Sequence, residues 1–229
     1  MHLKSIRMPS PDLEGSAVFY RDVLGLPVRQ SKETVVVEVG SSLLEFFEGN
    51  ASEGSNHLAF TIPANQLADG KRWLSGRTRV ISLNGNDEFQ LGEPWESESV
   101  YFEGPDRMIL ELISRQQLDN ASSAPFSGAS LLCISEVGLA VPDVARSIQE
   151  IGDAFGIQSF AGDGQSFHAM GNHDGLLILV PAGRRWFPTS DALSSFGQLT
   201  VDIAGTPRSG TFDSGVGWRL RSSEAVKKP

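Results

Sequence analysis

Glu45, His57 and Glu111 are the residues of this chain whose types and settings could do chemistry. Glu45 lies in LLEFF (43–47) and Glu111 in MILELIS (108–114). Strand alternation gives both segments two apolar faces: Leu44 and Phe46 oppose Leu43, Glu45 and Phe47, and Leu110 and Leu112 oppose Ile109, Glu111 and Ile113. A carboxylate among such neighbours is either at an exposed edge or buried, and burial demands a partner such as a metal ion or a base. His57 opens HLAFTIP (57–63), sharing a face with the small Ala59 and Thr61, so space is left in front of it. Singly, each has a simpler reading, a solvated glutamate or a hydrogen-bonded histidine.

Other side chains offer secondary roles. Arg184-Arg185-Trp186 could hold an anion through guanidinium contacts, or form a loop packed by Trp186 and Phe187 with the arginines exposed. Trp95 in GEPWESES and Tyr101 in SVYFE are candidates to contact a substrate. His168 and His173 flank a turn in FHAMGNHDG and read as turn chemistry. The single cysteine, Cys133, excludes an intrachain disulfide and a multi-cysteine zinc site; its apolar segment LLCIS reads as a strand with a buried thiol.

The elements that must position these groups are organised by an internal repeat. SIRMPSPDLEGSAVFYRDVLGLPV from Ser5 aligns without gaps on EVGLAVPDVARSIQEIGDAFGIQSF from Glu136, an offset of 131 residues. In each copy a strand ends at a Pro-Asp turn whose aspartate can cap a helix, and Gly25 or Gly156 stands where that helix ends. Paired strands follow: 35–39 with 43–47, and 166–170 with 176–180. A second strand–helix–strand passage occupies 57–114, with a further strand expected over 78–83. The expected fold class is α+β, built from repeated βαβββ modules. Residues 1–116 form the expected N-terminal domain, 117–130 a linker rich in Ser and Ala, and 131–229 a shortened second copy. Its last expected strand is 198–205, followed by a Gly/Ser-rich, basic tail.

Composition narrows the function. The 229 residues carry 28 acidic and 19 basic side chains, a net charge of −9, and the basic residues are dispersed, which excludes a nucleic-acid binder. The longest apolar run, 176–180, is far short of the ~20 residues that span a bilayer. The segment MHLKSIRMPSPDLEG lacks an apolar signal core, so the expected location is cytoplasmic.

PDLEGSAVFYRDVLGL, NHLAFTIP and SVYFEGPDRMILELI, in that order, resemble the vicinal-oxygen-chelate superfamily, which includes glyoxalase I, extradiol dioxygenases, and fosfomycin- and bleomycin-resistance proteins. The resemblance covers residues 3–114 well and 131–203 moderately. It implies curved mixed sheets forming a cup around a divalent ion, with ligands from four strand positions. Those positions fall on Ser5, Glu45, His57 and Glu111, of which Glu45, His57 and Glu111 are the expected metal ligands, with Glu45 or Glu111 as the catalytic proton carrier. Ser5, Trp95 and Tyr101 are the expected substrate contacts. One histidine and two carboxylates suit Zn, Ni, Mn, Co or Fe. In the second half the matching positions hold Glu136, Ile178 and Gln198, and Ile178 breaks the set. The implied function is a glyoxalase-like, metal-dependent lyase or isomerase acting on a small oxygenated metabolite. The alternatives are a metal-free small-molecule binder of the bleomycin-resistance type, or a ring-cleaving dioxygenase recruiting His2. A homodimer is the expected assembly if modules pair between chains.

Overall fold

The computed structural model describes residues 1–223. Four modules follow one another along the chain. The first comprises β1 (His2–Ser10), α1 (Leu13–Val18), β2 (Val28–Gln30), β3 (Thr34–Val39) and β4 (Ser42–Glu48). The second comprises β5 (His57–Ile62), α2 (Leu67–Ser75), β6 (Phe89–Leu91), β7 (Ser97–Glu103) and β8 (Ile109–Arg115). The third comprises β9 (Cys133–Val141), α3 (Val144–Phe155), β10 (Ser159–Gly162), β11 (His168–Asn172) and β12 (Gly175–Pro181). A reduced fourth, with no helix among the described residues, has β13 (Leu199–Ala204), β14 (Gly210–Asp213) and β15 (Trp218–Ser222).

The repeat is visible in its caps. Asp12 accepts from the Gly15 N–H at 2.8 Å and Asp143 from the Arg146 N–H at 2.9 Å, each starting a helix after its Pro-Asp turn. Gly156 closes α3 with φ +73°, a left-handed conformation that glycine adopts without steric cost.

The modules do not pair in chain order. One sheet has the order β14-β15-β13-β1-β4-β3-β2 and joins the first module to the fourth. The other runs β10-β11-β12-β9-β5-β8-β7-β6 and joins the second to the third. Each half of the sequence therefore contributes one module to each sheet. The four-module partnership closes within one chain, so a second copy is not needed to complete either sheet. Ser42 ties the sheets together: its hydroxyl donates to the Leu3 carbonyl at 2.7 Å and accepts from the Ile134 N–H at 3.1 Å.

A single apolar core is shared by both sheets, with Ile6, Met8, Leu44 and Phe46 from one and Leu58, Phe60, Leu110 and Leu139 from the other. A second apolar cluster, including Tyr101, Ile109, Ile178 and Trp186, covers the opposite face of the β5-containing sheet. That is why β5 and β8 are buried at every position, as expected for 108–114, while β4, in the other sheet, leaves Leu43 exposed.

Two expectations are corrected. The 78–83 segment makes only isolated bridges, Val80 to Phe102 and Leu83 to Asn86, and the edge strand forms at Phe89–Leu91 instead. The basic tail does supply a final strand, β15. Its alternation buries Trp218 and Leu220 inward while Arg219 and Arg221 pair with Asp213 and Asp202 outside.

Candidate metal centre

In the β5-containing sheet one row of cross-strand neighbours reads Leu176, Glu136, Ala59, Glu111 and Tyr101, on β12, β9, β5, β8 and β7. Strands lie about 4.8 Å apart, so the two glutamates are separated by one intervening strand, and the methyl of Ala59 leaves their carboxylates free to converge above it. His57, two residues earlier on the same face as Ala59, completes the group. Its Nε2 lies 3.5 Å from Glu111 Oε2 and 3.9 Å from Glu136 Oε2. All three side chains are buried, and one ligand atom from each lies within 4.8 Å of the others.

The histidine is aimed by its other nitrogen. Nδ1 is 3.1 Å from the Ile109 carbonyl, which can only accept, so Nδ1 carries the proton and Nε2 faces the carboxylates. Glu136 is aimed by Arg115. That guanidinium is fully buried and bonds Glu136 Oε1, leaving Oε2 toward His57. Arg115 Nε and Nη1 have no hydrogen-bond partner among the described residues.

The two carboxylates are driven apart in acidity. Burial raises Glu136, but the Arg115 and His57 contacts outweigh it and hold it below the usual carboxylate range. Glu111 is pushed up to about 7 by burial and by the Glu136 charge. His57, which burial alone would lower, is raised by its carboxylate neighbours. Burial keeps the Tyr101 phenol protonated.

The cluster floors a cavity of about 500 Å³ whose walls include Trp95, Tyr101, Trp186 and Ile178. The indole of Trp186 lies 5.3 Å from the His57 ring and donates to the Ser55 carbonyl at 2.7 Å. It fits because residue 138 is glycine: a Cβ there would stand 2.5 Å from the Trp186 ring. Gly138→Ala is expected to displace Trp186 and cost roughly 1–3 kcal/mol by overpacking, read as a red-shifted tryptophan emission and a lowered Tm.

Among the residues singled out from sequence, His57 and Glu111 are brought together, and Trp95 and Tyr101 line the same cavity. Glu45 does not join them. It lies on β4 in the other sheet, in register with Arg7, which it pairs with at 2.8 Å while 34 % exposed. Ser5 is also in that sheet, donating to Asp202 at 2.5 Å, and so is the strand carrying His2. Glu136, the counterpart of Ser5 in the repeat, joins His57 and Glu111 where Glu45 was expected to, because the second module pairs with the third rather than the first. Ile178 stands on the cavity wall as the apolar fourth position. Sequence reasoning missed Arg115. The available signal was its place four residues after Glu111, which puts both on one face of β8.

No family model matches the chain, and no curated protein matches it by sequence. Solved structures do. A Bacillus subtilis protein provisionally described as a dioxygenase superposes with a TM-score of 0.60 at 11 % identity, over 97 % of this chain and 85 % of the other. Glyoxalase I from Zea mays superposes with a TM-score of 0.58 at 14 % identity, over 96 % of this chain and 91 % of the other. With both sheets spanned at such low identity it is the architecture that is shared: the chain has the fold of the vicinal-oxygen-chelate superfamily, with its four modules in one polypeptide.

Proposed function

We propose that the chain is a divalent-metal-dependent lyase or isomerase of the glyoxalase type, working at His57, Glu111 and Glu136. The observation that carries this is the convergence of one imidazole and two carboxylates on the floor of a cavity large enough for a small molecule. Ligand bonds of about 2.0–2.2 Å place neighbouring ligand atoms about 3–3.5 Å apart, so the His57 spacings of 3.5 and 3.9 Å need a small contraction, and the two carboxylates, within 4.8 Å of each other, would close further on a cation. The donor set fits Zn, Ni, Mn, Co or Fe. A bound cation there would supply Lewis-acid polarisation of a substrate carbonyl.

The protein's own groups divide the remaining work. Glu136, kept ionised by Arg115, holds negative charge at the floor. Glu111, buried beside the open side of the centre, is the carboxylate that would exchange a proton with the carbon next to the polarised carbonyl. Tyr101, protonated beside it, can donate to an oxygen that gains charge. The apolar Ile178 leaves one side of the centre open for substrate oxygens.

Metal uptake tests this. Protein stripped with EDTA is expected to take up one divalent ion per chain and, at pH 6, to release about one proton held between Glu111 and His57. Affinity therefore rises with pH through about 7. The sign for stability follows as well. The folded value of Glu111 lies above its ordinary 4.5, so the metal-free protein loses stability as pH rises from 4.5 to 7. Calorimetry in buffers of differing ionisation heat measures both. A protein that takes up no ion overturns the proposal.

A specific observation favours a second reading, metal-free binding of a small molecule. Arg115 against Glu136, with one proton shared by His57 and Glu111, neutralises the floor without a cation. The ring-cleaving alternative has less support: the cluster holds one histidine, while His168 bonds Ser159 and His173 packs on Phe160.

A further inference from the structure

The cavity is walled by aromatic rings from two sides. Phe89, Tyr101 and Phe187 form one edge-to-face set, with centroids 4.8 to 5.7 Å apart. Trp95 and Phe167 form another, 6.2 Å apart. Both sets line the same space, so an occupant must offer apolar surface to each side. One cation joins them. The Arg184 guanidinium lies 5.5 Å over the Phe167 ring.

Most arginines of this acidic chain pair with a carboxylate, Arg7, Arg79, Arg115 and Arg221 among them. Arg184 does not: among the described residues its only side-chain hydrogen bond is a 3.3 Å contact to the Arg185 carbonyl. The one acid on the cavity wall above the floor, Glu88, is already engaged by Lys71 at 2.8 Å. The wall therefore presents a guanidinium held against an aromatic ring, with donors to spare and, among the described residues, no ion-paired acid.

We propose that Arg184 is the anchor for an anionic group on a planar, ring-containing substrate. The ring lies between the aromatic walls, and the end bearing oxygens reaches the His57, Glu111 and Glu136 floor. This rests on the reading of that cavity as the working site, and it adds the substrate class, an aromatic or similarly flat monoanion. A guanidinium meets a carboxylate through two parallel N–H donors, so a carboxylate is the simplest such group.

The test uses 2-naphthoate and its neutral counterpart 2-naphthylmethanol, titrated calorimetrically into the full chain kept in EDTA so that no cation can hold the carboxylate. The naphthoate is expected to bind about tenfold more tightly than the alcohol. Arg184→Gln is expected to remove that preference while leaving the alcohol within about twofold. Arg185→Gln, altering an exposed neighbour, retains the preference. Equal binding of the two compounds by the unaltered chain, or a preference that survives Arg184→Gln, overturns the proposal. So does no binding of either at millimolar concentration. The measurement excludes metal, so failure of metal uptake overturns the function proposed above without touching this preference, and loss of the preference leaves metal uptake unaffected.

Discussion

Glu111→Gln is expected to lower metal-dependent proton exchange by about three orders of magnitude, and Glu45→Gln to change it less than twofold. The contrast follows from where the two glutamates stand. Glu111 is buried between Ala59 and Tyr101, 3.5 Å from the free nitrogen of His57, with a pKa of about 7. A glutamine keeps its size but can neither carry the proton nor supply the charge a cation needs, so metal affinity also falls, by at least about 100-fold. Glu45 is one partner of a half-exposed ion pair in the other sheet, and such pairs contribute little to stability or to a remote site. The readout is loss of the α-proton signal by NMR when metal-loaded protein is incubated in D2O with a panel of α-hydroxy ketones. Calorimetric metal titration runs alongside. Retention of exchange by Glu111→Gln, or its loss in Glu45→Gln, would place the chemistry elsewhere.

That contrast also marks how far the residues alone could lead. The Pro-Asp caps, the 131-residue offset and the two-sided burial of 108–114 were legible because each is a local pattern with a local cause, whereas 43–47, read the same way, leaves Leu43 exposed. Asp12 and Asp143 cap within three residues of themselves, and β5 is buried on both faces, one lined by Leu58, Phe60 and Ile62 and the other carrying His57, Ala59 and Thr61. Pairing between modules has no such local signature. Whether β1 or β9 lies beside β5 depends on packing between segments more than seventy residues apart. Grouping ligands in chain order therefore joined Glu45 to His57, whereas the sheet joins Glu136 to it. Glu136 was recognisable as a match to Ser5 through the repeat, but Ile178 in the same half argued against a second complete set. The fold resolves this by drawing ligands from both halves. The aromatic walls were less accessible still, since Phe89, Phe167 and Phe187 sit in three separate segments and acquire a common role only when the loops close over the sheet.

The second large effect concerns stability. Arg115→Met is expected to cost about 3–5 kcal/mol, because it leaves Glu136 as a buried carboxylate whose strongest compensating charge has gone. For a chain of this length that is a fall in Tm of about 10 °C. The pH dependence separates lost charge from lost packing. In the unaltered protein Glu136 titrates below its ordinary 4.5, so its contribution is present above that value and is lost as pH falls through the folded one. Without Arg115 the burial of Glu136 dominates and its affinity for a proton rises. Acidification should then narrow the gap between the variant and the unaltered protein instead of preserving it. Glu136→Met added to Arg115→Met removes both charges and fills the space with apolar side chains, and is expected to recover most of the loss. A cost under about 1 kcal/mol that does not vary with pH would mean that the guanidinium is not the partner that keeps Glu136 ionised. Thermal denaturation of the three proteins from pH 4 to 8 in EDTA separates these outcomes. Repetition with a divalent ion present then asks whether the cation can take over the compensation that Arg115 provides.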